Sequence, residues 1–281
     1  MDILALPYLC SLYIMESYVS PKVSVIMGIY NCAPYLQEAL DSLYAQTFQD
    51  FEIILCEDGS SDNTFEIAQE NAKSHPNIKL LRNERNLGLN ATLNNCLAVA
   101  EGEYIARMDG DDISLPTRFQ TEVDFLDTHP EYEIVTTPMK YFDEGGIFRE
   151  GRGGREPKLT DFPKSSPFCH APCMVRKKAY DAVGGYTVAE NLLREEDYHL
   201  WIKMYAQGFR GYTLEKPLYM MRDDRHAAKR RTFKARKNEA YVKHLACMML
   251  HLPFYYHIYC LKPIILGVMP TWLYHFLYKL K

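Results

Sequence analysis

The chain has 281 residues, enough for one large domain or two small ones. Hydrophobic residues make up 47% and charged residues 24%, a balance that excludes disordered, collagen-like and low-complexity classes. The formal net charge of −4 averages two unlike parts: Arg222 to Lys281 carries 12 Lys and Arg against 3 acids (+9), and the preceding residues carry 20 against 33 (−13). An acidic body with a basic tail excludes a uniformly basic nucleic-acid binder, so no nucleic-acid partner is expected.

The first segment, Met1 to Leu12, is apolar but has neither a positive leader nor a small-residue cleavage site, so no secretory signal is expected. Residues 1–21 are expected to be an N-terminal extension, with Met15 an alternative start. Eight cysteines without a CxxC spacing, in a chain long enough to fold without staples, point to a reducing cytosol. Cys169, His170 and Cys173 look like half of a zinc site, but no second cluster completes it.

In chain order, Val23 to Ile29 is a short apolar run that predicts a buried strand. Pro34 then opens a helix whose buried face is Leu36, Leu40 and Leu43. Phe51 to Cys56 predicts a second strand, ending in Glu57-Asp58-Gly59-Ser60-Ser61-Asp62. A helix over Thr64–Lys73 follows, capped by Asp62 or Asn63. Ile78 to Leu81 is a third strand, and Leu89, Leu93 and Leu97 mark the next helix, which ends near Gly102. Glu103 to Met108 is a fourth strand, running into Asp109-Gly110-Asp111-Asp112. This alternation predicts an α/β fold with a doubly wound, mostly parallel sheet, whose ligands bind at the carboxyl ends of the strands. Here those ends are Tyr30-Asn31, Glu57-Asp58-Gly59 and Asp109-Gly110-Asp111, all polar.

Further along, Phe119, Val123 and Leu126 line a helix, and the glycine-rich, charged stretch from Glu144 to Glu156 predicts a mobile loop beside the site. Pro172 to Val175 reads as a strand, and the short helix after it stops at Gly184-Gly185. Glu195-Glu196-Asp197 opens a helix patterned by Leu200, Trp201, Met204 and Tyr205 and closed by Gly208. From Leu245 the chain is apolar and aromatic, but His251, Pro253, His257, Lys262 and Pro263 interrupt it too often for a spanning helix. Two readings stand for this tail: helices lying on an anionic membrane surface, or a helical subdomain packed on the body.

Neither GxGxxG nor GxxxxGK[ST] occurs, which leaves dinucleotide and P-loop chemistry without support. Asp109-Gly110-Asp111-Asp112 places three carboxylates in four residues, a repulsion that a hard divalent cation relieves. Mn²⁺ or Mg²⁺ is expected there, with substrate phosphates completing the shell; a solvated turn with an aspartate cap is the alternative. Gly110 is expected to let this turn approach a phosphate. Asp58-Gly59-Ser60 is a turn by composition, although a carboxylate at a strand end also suits the N–H of a nucleobase. Glu196-Asp197 alone is favourable charge at a helix start.

Taken together and in order, Val23-Ser-Val-Ile-Met-Gly-Ile-Tyr-Asn31, Asp58-Gly-Ser-Ser-Asp62, Asn86-Leu-Gly88 with Asn94, Asp109-Gly-Asp-Asp112 and Glu196-Asp197-Tyr-His-Leu-Trp201 resemble the inverting family 2 glycosyltransferases of the bacterial surface-polysaccharide type. The resemblance covers residues 22–221 and implies a GT-A nucleotide-sugar domain there, leaving 222–281 as a basic, apolar helical tail. It implies a divalent metal and a nucleotide-diphosphate sugar donor, a UDP-hexose or UDP-N-acetylhexosamine. Carried over by position, Gly28 and Tyr30 flank the nucleobase and ribose, with Asn31 of the same motif at the substrate. Asp58 bonds the base, and Arg85 or Asn86 faces the nucleotide. Asp109 and Gly110 lie by the donor, and Asp111, with Asp109 beside it, reaches the metal. Asp197 matches the catalytic base, and Glu196 supports positioning or acceptor binding. His170 either lines the sugar pocket or is a structural histidine. Relatives usually carry two acids before Gly59, of which Glu57 replaces the first here, and position 28, Gly in this chain, is often Pro or Thr.

The implied reaction is one in-line displacement in which Asp197 takes a proton from an acceptor hydroxyl, inverting the anomeric centre. The acceptor is a glycan or a lipid-linked oligosaccharide. Arg222, Arg225, Lys229, Arg230 and Arg231 are expected to contact phosphates or anionic lipid, placing the enzyme peripherally on the inner face of the plasma membrane. A nucleotidyltransferase would carry a glycine-rich, basic loop where this chain has Tyr30-Asn-Cys-Ala-Pro34, and a non-catalytic sugar-binding module would lack the base or the metal acids.

Overall fold

A computed structural model of the chain describes residues 20–223 and 232–269. The expected extension up to residue 19, the basic residues Arg225, Lys229, Arg230 and Arg231, and the end of the tail from residue 270 lie outside the described residues.

The alternating half of the chain folds as its periodicity predicts. Strands β1 (Val23–Ile29), β2 (Phe51–Glu57), β3 (Ile78–Arg82) and β4 (Tyr104–Arg107) are separated by helices α1 (Ala33–Tyr44), α2 (Thr64–Ser74) and α3 (Leu89–Val99). There follow β5 (Ile113–Ser114), α4 (Arg118–Thr128), β6 (Ile134–Thr136), β7 (Met139–Asp143), β8 (Gly146–Glu150), β9 (Met174–Arg176) and α5 (Lys177–Val183). The chain continues through α6 (Glu196–Ala206), β10 (Gly211–Thr213), β11 (Tyr219–Arg222), α7 (Phe233–Met249) and α8 (Ile258–Val268).

The main sheet has the order β10-β6-β9-β4-β1-β2-β3. β1 pairs in parallel with both β2 and β4, so strand order reverses at β1, where a doubly wound sheet opens its ligand crevice. Successive β1 residues serve opposite faces: Val25, Met27 and Ile29 pack with Leu36, Leu40 and Leu43 of α1 and Phe119 of α4, while Ile26 packs with Leu93 of α3 and Trp201 of α6. Burial on both faces is why these strands read as continuous apolar runs.

One expectation is corrected. The Glu144 to Glu156 stretch is largely ordered structure, because β7 and β8 form a hairpin through Glu144-Gly145 in a second sheet of order β5-β11-β7-β8, and Arg155 bridges Thr213. Alternation in β7 is half polar because this small sheet is solvated on one side, which disguises it as a loop. Helix α2 begins after Asn63, whose side chain makes no cap bond; Asp62 does that work, accepting from the Thr64 N–H and hydroxyl at 3.1 and 2.6 Å and from the Ala33 N–H of α1 at 3.1 Å. In the tail, α7 packs on the body: Val242, Ala246 and Leu250 are buried in the same core as Trp201.

Candidate functional site

Every site residue proposed from sequence lies at or beyond the carboxyl ends of β1, β2 and β4, or on segments that reach that edge. Gly28, Tyr30, Asp58 and Asn86 line one small pocket with Gly88, Leu89 and Thr92. A Cβ on Gly28 would stand 3.1 Å from Leu89 and 3.2 Å from Thr92, so the bare backbone keeps α3 close to β1. Gly59, at φ 72°, brings the β2 turn against the Arg85–Asn86 backbone, where a Cβ would sit 2.8 Å from Asn86 N.

Asp58 is the post on which this pocket hangs. Its buried carboxylate accepts from Asn83 Nδ2 and the Leu87 N–H, both at 2.8 Å, and from the Gly88 N–H at 3.0 Å. Those bonds use three of about four acceptor positions on a carboxylate. Asn31 is tied inward as well: at φ 47°, its Oδ1 accepts from the Ser61 N–H at 2.9 Å and its own N–H donates to Ser60 Oγ at 3.0 Å. Tyr30 and Asn86 are exposed at the rim, and Arg85 is exposed without lining the pocket.

The acidic turn after β4 is organised by a residue that the sequence reading passed over. Arg107, the last residue of β4, is buried and holds Asp109 with both guanidinium arms, one at 2.6 Å. Its charge also acts on Asp111, His170, Glu196 and Asp197. An arginine inside a buried apolar strand, directly before an acidic run, is the signal that would have found it. A Cβ on Gly110 would meet Cys32 Sγ at 2.8 Å, so its bareness accommodates the β1 loop.

Asp112 accepts from the Arg222 N–H at 2.8 Å, and burial with the Asp109 and Asp111 charges pushes its carboxyl up to about 8. Arg222 donates through Nε to the Asp111 carbonyl at 3.0 Å and pairs with Glu38. Burial and Asp109 raise the Asp111 carboxyl above its ordinary value. Among the described residues no side chain hydrogen-bonds the Asp111 carboxylate, and no three His, Cys, Asp or Glu side chains form a ready-made cage. One under-compensated carboxylate with hard oxygens fits an Mg²⁺ or Mn²⁺ ion that draws most of its ligands from water and substrate phosphate. Asp109 is engaged by Arg107, so Asp111 is the better-placed ligand of the two.

Strand β9 runs antiparallel to β4, pairing Ala106 with Met174, and so delivers the preceding loop to the same edge. His170 there shares a 2.8 Å hydrogen bond with the Tyr186 hydroxyl and meets the Tyr186 and Trp201 rings edge-on. Burial and the Arg107 charge hold its imidazole well below its ordinary value, so it is neutral at pH 7. Glu196 and Asp197 form the first turn of α6, next to these groups. A helix start favours a low carboxyl pKa, but burial and the Glu196 charge push Asp197 up to about 6. Glu196 is likewise raised by burial, and its Oε2 is buried without a hydrogen-bond partner.

The geometry is matched by likeness to known proteins. The sequence model described as glycosyl transferase family 2 matches residues 24–184. A putative glycosyltransferase, EpsE, of Bacillus subtilis is 43% identical over 256 residues, 89% of this chain and 91% of that protein. An Escherichia coli UDP-Gal:α-D-GlcNAc-diphosphoundecaprenol β-1,3-galactosyltransferase is 32% identical over 218 residues, 75% of this chain and 78% of its own. Among solved structures, Staphylococcus aureus TarS 1-349 in complex with UDP-GlcNAc superposes with a TM-score of 0.67 at 21% identity, covering 88% of this chain and 71% of that one, which establishes the shared GT-A fold.

Proposed function

The chain belongs to glycosyl transferase family 2 and is a glycosyltransferase, and from that premise we propose that it moves a hexose or N-acetylhexosamine from a UDP-sugar to a hydroxyl of a glycan or lipid-linked oligosaccharide, with inversion. The observation that carries this reading is the placing, along one sheet edge, of the Gly28–Asp58–Asn86 pocket and of the Asp109–Asp111 turn and helix-start Asp197, the last two sharing the charge of buried Arg107. The UDP donor and lipid-linked acceptor are supported by the E. coli relative, whose name carries both, and by the TarS complex with UDP-GlcNAc.

The nucleoside enters the pocket between Tyr30 and Asn86, and the remaining lone pair of Asp58 accepts from the base. Asp111, joined by Asp109 if Arg107 releases it, would hold a divalent ion that neutralises the departing nucleoside diphosphate. Asp197 removes the proton of the acceptor hydroxyl as that oxygen attacks the anomeric carbon from the face opposite the diphosphate. At about 6 its carboxyl is ionised at neutral pH yet basic enough to take a proton, a better compromise than an ordinary aspartate offers. Arg107 keeps the acids apart and Asp109 oriented. The enzyme works peripherally at the cytoplasmic membrane face, where such acceptors are anchored.

A donor panel of UDP-, GDP- and dTDP-sugars, assayed for nucleoside diphosphate release with an acceptor and with or without Mn²⁺, tests the reading. Ion-dependent release from a UDP-sugar is expected. Pyrophosphate formation from a nucleoside triphosphate and a sugar phosphate would replace it with nucleotidyl transfer, and binding without turnover of any donor would leave a non-catalytic module.

A further inference from the structure

Helix α8 is the outer layer of the C-terminal region. Pro263 on its inner side is buried, and α7 lies between it and α6. Its outer side carries Ile258, Leu261, Ile265 and Val268, which are 66, 56, 54 and 68% exposed, and Phe254 of the preceding 3-10 turn, 85% exposed, extends the row. In α8 the residue numbers advance by three or four at each step, so Ile258, Leu261, Ile265 and Val268 share one helical face. Scattered exposed apolar residues are ordinary, but an unbroken row along a whole helix requires a cover.

Charge and continuity identify that cover. A Cβ on Gly267 would stand 2.8 Å from Phe233 and 3.3 Å from Arg236, so the row ends beside the start of α7. Lys234 (paired with Glu190), Arg236 and Lys237 lie there, following Arg225, Lys229, Arg230 and Arg231 in sequence. The one acid between residues 232 and 269, Glu239, is compensated by Arg236 at 3.2 Å and Lys243 at 4.0 Å. From the same end the chain continues as Pro270-Thr-Trp-Leu-Tyr-His-Phe-Leu-Tyr-Lys-Leu-Lys281, a mixture of Trp, Tyr and Lys suited to a headgroup layer. Among the described residues no helix is long and apolar enough to cross a bilayer. The α8 part of the row, about 15 Å long and one side chain wide, also falls short of the roughly 800 Å² per partner of a stable protein interface.

We propose that the Phe254–Val268 row of α8 is a membrane-docking face that lies among the acyl chains of an anionic leaflet, with the basic start of α7 on its headgroups. The proposal rests on the lipid-linked acceptor read above and deepens it. α7 joins the docking face to α6, whose first turn carries Asp197, so docking holds the base at a set height above the surface where a carrier lipid presents its sugar.

The test uses the full chain and an Ile258→Asp/Ile265→Asp variant, both changes being at exposed positions. Sedimentation with phosphatidylglycerol-containing vesicles, compared with pure phosphatidylcholine, is expected to show salt-sensitive binding of the full chain. The variant should lose it by at least about tenfold. Its thermal unfolding and its sugar transfer to a water-soluble acceptor should be unchanged. Equal vesicle binding by the variant overturns the proposal, as does failure of the full chain to bind. A dimer in light scattering that the variant abolishes makes a second copy the occupant, and binding that appears only after deletion of residues 270–281 makes that segment the cover; either result overturns lipid docking. If docking fails while soluble transfer persists, the transferase reading stands alone. If transfer fails while docking persists, the surface survives the loss of that reading.

Discussion

The protonation of Asp197 gives the most direct handle on the chemistry. An aspartate with an ordinary pKa of 3.8 would be almost fully ionised at pH 5, whereas one at about 6 would be only about a tenth ionised there. The difference corresponds to about 3 kcal/mol disfavouring the buried carboxylate. The active base is the ionised form, so kcat should be level above pH 7 and fall as pH drops through 6, reaching roughly one-tenth of the plateau at pH 5. The Asp111 carboxyl is also raised, by burial and Asp109, and its protonation would weaken ion and donor binding. Measuring kcat at saturating donor and Mn²⁺ separates the two effects. Glu196 is the second cause of the Asp197 shift, so Glu196→Gln should move the acid limb to lower pH. The assay is release of nucleoside diphosphate from pH 4.5 to 8.5, with donor affinity measured in parallel. A profile that stays level to pH 5, or a Glu196→Gln limb moved to higher pH, refutes Asp197 as a buried base coupled to Glu196.

Other outcomes follow from the same geometry. Asp197→Asn should leave donor affinity intact in calorimetry and lower kcat by about 10²–10⁴, the usual contribution of a general base. Asp111→Ala should weaken UDP-sugar binding in Mn²⁺ while leaving ion-free binding of uridine nearly unchanged, which a fluorescence titration can read. Arg107→Met removes the partner of Asp109 and should destabilise the fold by about 3–5 kcal/mol in urea unfolding, whereas Arg107→Met/Asp109→Asn should recover part of that loss. Gly59→Ala, at φ 72° and against the Arg85–Asn86 backbone, should cost about 1–3 kcal/mol and also loosen the nucleotide pocket, raising the KM for donor.

Much of the architecture is local information. The runs that became β1 to β4 are apolar because both faces of the sheet are covered, and Leu36, Leu40 and Leu43 repeat at helical spacing because one stripe of α1 meets the core. Residue order therefore determined the alternation and the polar strand ends where Asp58 and Asp109 stand. It also determined that Glu196 and Asp197 begin a helix.

Contacts distant in sequence decided the rest. Only an antiparallel β9 brings His170 to Arg107, and hydrophobic periodicity does not specify strand direction. Folding spends most of the Asp58 carboxylate on a loop some thirty residues away and draws Arg222 back across more than a hundred residues to pin the Asp111 turn. It likewise turns the Glu144–Glu156 stretch into a hairpin by supplying β11 as a partner. The pKa of Asp197 belongs to this class, because a helix start lowers it but burial, a property of the whole fold, outweighs that and raises it. The tail shows the boundary clearly. A period near 3.6 reveals that a helix has an apolar face, but only the packed structure shows that α7 spends its face on α6 while, among the described residues, α8 leaves its own uncovered.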